Sequence, residues 1–162
     1  MKLFLDTNVL IDFILERPAF YLPTAMIVSF AVEGKIELAV SSMSVVTANF
    51  ICVERSKMPL DNFRKKIDFL REYLEITSVD SADIYQSYDT KWKDFEDGVQ
   101  YASAKRWGAN YIVTRNVKDF EESNGDVITP DETCVKLQNF EKNMLIITKK
   151  LLVIYDYLKY SE

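Results

Sequence analysis

The stretch KLFLDTNVLIDFILERP, residues 2–18, decides how the chain reads. After Lys2 the residues are apolar without alternation, as expected of a strand buried on both faces of a parallel sheet. Asp6 closes that strand. From Asn8 to Glu16 the apolar residues Val9, Leu10, Phe13 and Ile14 recur at helical spacing. Arg17-Pro18 ends the helix, because proline disfavours helical backbone in the residue before it.

The same pattern continues downstream. Pro23 suits the first turn of a second helix with an apolar stripe of Met26, Ile27, Phe30 and Ala31, closed by Gly34. Residues 36–40 read as a second strand. Ser42 or Ser44 caps a third helix running to about Lys57, where Met58-Pro59 breaks it, and Asp61 caps a fourth with Phe63, Ile67, Phe69 and Leu70 inward. A strand over 74–79, helices over 80–88 and 94–107, a strand over 111–113 and a short one over 127–128 complete the pattern, with Gly108 ending the second of those helices. Strands separated by helices predict an α/β fold of three layers (α-β-α) around a central parallel sheet of about five strands with right-handed crossovers.

From Glu132 onward a long helix carries Leu137, Phe140, Met144, Ile147, Leu151, Ile154 and Leu158 in alternating steps of three and four, widened by Leu145 and Leu152. Such a face either covers its own core or docks on another chain. The expected organisation is a domain over residues 1–135 and a helical extension over 136–162 that packs on the domain or on a partner.

Composition bounds the chemistry. The chain of 162 residues is 48% apolar and 28% charged, the balance of a globular protein. It contains no histidine, which excludes Ser-His-Asp and Cys-His nucleophilic sites and any imidazole metal ligand. Cys52 and Cys134 are too far apart to suggest a metal clip or disulfide framework, so a reduced, cytoplasmic protein is expected. The apolar N-terminus is interrupted by Asp6 and Asp12 and has no cleavage site. The stretch from Ala25 to Val32 falls far short of the roughly 20 residues that span a bilayer, so no membrane association is expected. With a net charge of −5, chemistry must lean on carboxylates, amides, hydroxyls or lysines.

The acids fall where such chemistry would be placed. In an open parallel sheet, ligands bind beyond the carboxyl ends of the strands. Asp6 ends the first strand, Asn116 and Asp119 follow the fourth in TRNVKDF, and Asp94, Glu96 and Asp97 open the helix before it. Converging carboxylates repel one another unless a hard cation such as Mg²⁺ binds between them, and such an ion activates water and stabilises charge on a phosphate. Taken singly, each acid has a structural alternative. Asp6 or Thr7 caps the first helix, Asp94-x-x-Asp97 is a capping arrangement, and Asp119 is a loop acid.

Together, LFLDTNVLIDFILERP, DFEDGVQYASAKRWGANYIVTRNVKDF and VITPDE resemble the successive motifs of PIN domains over about residues 2–135. The family is made largely of Mg²⁺- or Mn²⁺-dependent ribonucleases, including the VapC-like toxins of bacterial toxin–antitoxin pairs. The resemblance implies catalytic, metal-site acids at Asp6, Asp97 and Asp119, with Thr114 and Asn116 as supporting polar groups. Family members carry a glutamate on the helix after the second strand, where SSMSVVTANF places Asn49. An asparagine carbonyl can ligate a cation, but it brings no charge and cannot act as a base. Glu54, five residues on, lies about 140° around the helix from Asn49 and is a poor substitute. Asp12 and Glu16 are candidate compensating acids, with exposed, solvated positions the plainer reading.

The charge balance is less adverse to RNA than it looks, since adding the four charges of two Mg²⁺ ions to −5 leaves −1. Arg64, Lys65 and Lys66 form one basic run, while Lys91, Lys93, Lys105, Arg106, Arg115 and Lys118 flank the acidic segments. Arg115 and Lys118 are the candidate phosphate contacts, while solvated faces are the ordinary fate of such residues. Trp92 and Trp107 are expected to pack rather than stack bases. The sequence therefore points to a metal-dependent endoribonuclease acting on RNA, with an antitoxin and a second copy of the chain as partners. Its alternative is a nuclease-deficient module that binds RNA or a protein, motivated by Asn49. A haloacid-dehalogenase-type phosphatase is disfavoured, because the strand ends in Asp-x-Asn rather than Asp-x-Asp.

Overall fold

Five strands pair in parallel in the order β3-β2-β1-β4-β5 in a computed structural model of the chain. The structure describes all residues except 91, 121, 122, 124 and 160–162, and in the last helix it describes side chains up to residue 143 and at Leu145. The strands are β1 Lys2–Leu5, β2 Glu37–Ser41, β3 Glu75–Thr77, β4 Tyr111–Val113 and β5 Val127–Ile128. The helices are α1 Thr7–Ile14, α2 Tyr21–Val32, α3 Ser42–Asn49, α4 Leu60–Leu70, α5 Ser81–Asp89, α6 Phe95–Trp107 and α7 Pro130–Lys159. The expected α/β architecture of three layers is the one observed.

Alternation along β1 divides the core in two. Leu3 and Leu5 point into the larger cluster, with Val9, Leu10 and Ile14 of α1, Ile27 of α2, Phe63 of α4 and Leu137 of α7. Phe4 points the other way, onto Tyr101 and Ala104 of α6, Ile112 of β4 and Phe120. A strand whose side chains are buried on both faces must be apolar throughout, which is why β1 shows no polar alternation.

Several local expectations need correction. Met26 and Phe69 lie partly in solvent rather than in the core, Phe69 with 42% of its surface exposed. Phe69 instead stacks on Phe13 at 6.4 Å and tilts against Tyr73 at 5.3 Å, edging an open groove with Tyr21 and Met58. Ser41, not Ser42 or Ser44, caps α3, accepting from the Ser44 amide at 2.9 Å. That helix ends at Asn49 and continues as a π-helical stretch over Phe50–Arg55. No side chain caps α4, and Asp61 sits in its first turn.

α7 runs against α2. Leu137 is fully buried, whereas Phe140 and Leu145 are exposed. Lys35 pairs with Glu141, and Cys134 Sγ donates to the Pro23 carbonyl at 3.4 Å. Met144, Ile147, Leu151, Leu152, Ile154 and Leu158 lie outside the described side chains. Trp92 packs on Tyr101 and Phe120, and Trp107 donates to Glu75 at 2.8 Å, so both tryptophans are used in packing. No helix among the described residues is long and apolar enough to cross a membrane.

Candidate functional site

The strand order places β1 and β4 side by side at the point where the chain, having added β2 and β3 on one side, crosses to the other. Ligand sites in open parallel sheets form beyond the carboxyl ends of the strands at that switch. Asp6 follows β1, and its amide donates to Val113 O of β4 at 3.0 Å. Its buried carboxylate accepts from the Thr7 amide at 2.6 Å, from Thr114 Oγ1 at 2.7 Å and from Asn8 Nδ2. Asp6 therefore does begin α1 as a cap, while its second oxygen is held by Asn8 of the first turn of α1 and by Thr114 just beyond β4. Burial pushes its carboxyl up to about 6, against the lowering effect of Thr114 and Thr7.

α6 delivers its acids to the same end. Asp94 caps the helix, accepting from the amides of Glu96 at 2.8 Å and Asp97 at 3.4 Å. Asp97 is half-buried, and its carboxyl is raised to about 7, first by burial and then by the charges of Asp6, Asp94, Asp119 and Glu96. Asp119 is exposed on a 3₁₀ turn over Val117–Phe120, anchored by the fully buried Phe120. In front of that turn, Thr114 Oγ1 accepts from the Asn116 amide at 3.0 Å while donating to Asp6. The Asn116 side chain itself is solvent-exposed.

The inner wall is polar but uncharged. Ser44 of α3 and Thr7 of α1 share a hydrogen bond of 2.9 Å, and Gln100 of α6 donates to both at 2.6 Å. Thr7 also donates to Glu96 at 3.4 Å. Thus α3 meets α1 and α6 at this end of the sheet through Ser44. Asn49, five residues on, is half-buried with no side-chain hydrogen bond among the described residues, and Glu54 is exposed. The sequence assigns no site role to Asn8, Ser44 or Gln100, and offers Ser44 only as a helix cap. A signal existed for Gln100, which lies one turn after Glu96 and so shares its face of the helix.

Asp12 corrects a sequence expectation. It is fully buried rather than solvated, paired with Arg115 at 2.8 Å and Arg17 at 3.2 Å, whereas Glu16 is exposed and pairs with Lys66. Burial raises the Asp12 carboxyl and the two arginines oppose that rise. Other cations near the acidic segments are spent on their own neighbours. Lys105 pairs with Asp126 at 2.8 Å and Arg106 with Asp83 at 2.8 Å, and in the separate basic run on α4 Arg64 pairs with Asp61 at 3.3 Å. Lys118 is exposed with no ion pair among the described residues, and lines a cavity of about 340 Å³ with Arg115, Asn116 and Asp119.

Oxygen donors of this kind suit Mg²⁺ or Mn²⁺, and neighbouring carboxylates that hold one another's protons are relieved by a cation. The donor chemistry therefore fits a divalent ion. The side chains as placed leave the acids near one another without closing on a point: no three Asp, Glu or Cys among the described residues stand close enough to bind one ion.

A sequence model of the PIN domain matches residues 2–118. The chain belongs to the PIN domain family. Ribonuclease VapC1 of Aquifex aeolicus (strain VF5) is 28% identical over 138 residues, which cover 82% of this chain and 93% of that protein. The PIN fold recurs in two solved structures, each matched over 80% of this chain and 98% of theirs. VapBC2 from Rickettsia felis, bound to a DNA fragment from its promoter, superposes with a TM-score of 0.61 at 20% identity. A toxin–antitoxin complex from Klebsiella pneumoniae does so with 0.58 at 22%.

Proposed function

We propose that this PIN protein is a Mg²⁺- or Mn²⁺-dependent endoribonuclease, the toxin of a toxin–antitoxin pair acting in the cytoplasm. The observation that carries the reading is the electrostatic coupling of Asp6, Asp97 and Asp119 at the β1/β4 switch, where burial first and then the charges of the neighbouring acids raise Asp97 to about 7. Similarity to a ribonuclease over most of both chains, and to the fold of toxin–antitoxin structures, supports it.

In this reading Asp6, Asp97 and Asp119 hold the cation, and Thr114 and Asn8 fix the Asp6 carboxylate. A bound divalent ion would supply positive charge beside the phosphate and a water acidic enough to attack near neutral pH. Arg115 and Lys118 bind phosphate oxygens of the RNA. The seam of α7 and the extension over 136–162 serve a second copy of the chain or an antitoxin segment, and the mass in solution of the chain cut after residue 141 checks this.

Cleavage of single-stranded and structured RNAs with Mg²⁺ or Mn²⁺ tests the activity. Asp6→Asn and Asp97→Asn are expected to abolish it; full activity in both variants would overturn the reading. One observation favours a second reading, a nuclease-deficient binding module: α3 reaches this end of the sheet with Ser44, bonded to Thr7 and Gln100, and carries Asn49 rather than a carboxylate. Calorimetric titration with Mn²⁺ separates the two, because no binding at millimolar metal favours the module.

A further inference from the structure

Asp12 occupies the middle of α1, flanked by the buried Ile11 and Phe13, where an isolated carboxylate would be strongly unfavourable. It is kept there by two guanidinium groups, and the one from Arg115 is held twice. Its Nε lies 2.8 Å from Asp12 Oδ2, and its Cζ lies 4.3 Å from the centre of the Phe20 ring. The backbone behind it is fixed as well, since the Arg115 amide donates to Asn8 Oδ1 at 3.2 Å and Asn8 in turn bonds Asp6 and Thr114.

Asp12 meets Arg115 as an ion pair at Nε without hydrogen-bond alignment, neither Nη group has a hydrogen bond among the described residues, and the side chain keeps 27% of its surface exposed. Arg115 and Thr129 are shared by two cavities. One is the cavity of about 340 Å³ that contains Asp119 and Lys118; the other, of about 170 Å³, is walled by Phe20, Pro23 and Pro130. A guanidinium paired with Asp12 on one edge and set over Phe20 on one face therefore stands at that junction, beside the acidic site.

We infer that Asp12 and Phe20 are positioning residues that hold Arg115 as a preset clamp for an RNA phosphate beside the acidic site. The inference rests on the ribonuclease reading above. A preset arginine loses less conformational freedom on binding than a free one, so the clamp acts in the bound ground state as much as in the transition state. Its signature is therefore a raised KM at little cost in kcat.

The test uses a fluorescein-labelled single-stranded RNA oligonucleotide of mixed sequence with the full chain. Anisotropy without divalent metal gives affinity and its salt dependence, and cleavage with Mn²⁺ gives kcat and KM. Arg115→Ala is expected to weaken binding and raise KM about ten- to a hundredfold, the size of a lost charged hydrogen bond. It should also reduce the slope of log affinity against log salt by about 0.7. Asp12→Asn and Phe20→Leu are expected to raise Kd and KM in the wild-type background and to have no further effect when Arg115 is already alanine. Losses that persist in the Arg115→Ala background, or wild-type affinity in both single variants, overturn the inference. Should Asp12→Asn fail to fold, Phe20→Leu carries the cycle alone, because Phe20 lies at the surface. A wild-type protein that neither binds nor cleaves RNA overturns the ribonuclease reading itself, whereas binding without cleavage leaves the cycle readable by anisotropy.

Discussion

Two helices of this chain begin with an aspartate followed three residues later by another, and the two pairs have opposite fates. At α5 the pair closes into a capping box: the Asp83 amide donates to Asp80 at 3.2 Å and the Asp80 amide to Asp83 at 3.0 Å. Burial raises the Asp83 carboxyl, but Arg106 and the Asp80 amide outweigh it and hold the group below its ordinary value. At α6 only Asp94 caps, and Asp97 is left among carboxylates. What separates the pairs is Arg106, which lies 23 residues beyond Asp83 and reaches it only through the packing of α6 on α5. No local pattern contains that information, so the order of motifs along the chain was a better guide to Asp97 than its own surroundings.

The raised acids give a pH dependence with a definite sign. Asp6 and Asp97 move from 3.8 to about 6 and about 7. Between about pH 4 and 7 the folded protein binds protons that the unfolded chain has released, so the stability linked to these groups is full below about 4 and is lost as the pH rises through 6 and 7. We expect the Tm of the metal-free protein, followed in chelator, to fall across that window, and to fall less in Asp97→Asn or with Mn²⁺ present. Thr114→Val keeps the volume but removes the hydrogen bond to Asp6. Loss of such a supporting partner is expected to weaken Mn²⁺ binding about ten- to a hundredfold by calorimetry.

At the scale of elements, α6 depends on a residue without a side chain. A Cβ on Gly98 would lie 2.2 Å from Ser87 Oγ and 2.7 Å from Trp92 Cγ. Alanine gains about 1 kcal/mol in helix propensity, yet it must displace a buried serine and a tryptophan ring. The clash wins, and Gly98→Ala is expected to cost about 1–3 kcal/mol in denaturant unfolding. Elements were legible wherever burial was two-sided or periodic, as in β1 and α1. They were less so where an aromatic served a surface: Phe69 fits the apolar spacing of α4, but its stacking on Phe13 turns it toward the groove. Asp12 was misjudged because its partners come from outside α1, Arg115 from beyond β4 and Arg17 from the turn after the helix.

For the whole molecule, periodicity yields the layers but not the order of strands, and the order is what puts Asp6 beside Thr114. The start of α7 also belongs to the body of the fold, because Leu137 is fully buried in the same cluster as Leu3 and Val9. Leu137→Ala is expected to cost about 2–5 kcal/mol. Cutting the chain after residue 135 should lower the Tm, whereas a cut after residue 141, which keeps Leu137 and the Lys35–Glu141 pair, should change it little.

The hydrogen bond from the Asp6 amide to Val113 O continues the ladder between the neighbouring strands β1 and β4, while the Asp119 amide bonds, among the described residues, to Asn116 O at the start of its own turn. Amide hydrogen exchange should separate the two. The Asp6 proton should exchange only with global unfolding, and the Asp119 proton through local opening of the turn. The acids would then divide into a permanent anchor and a part that can open and reclose without disturbing the sheet.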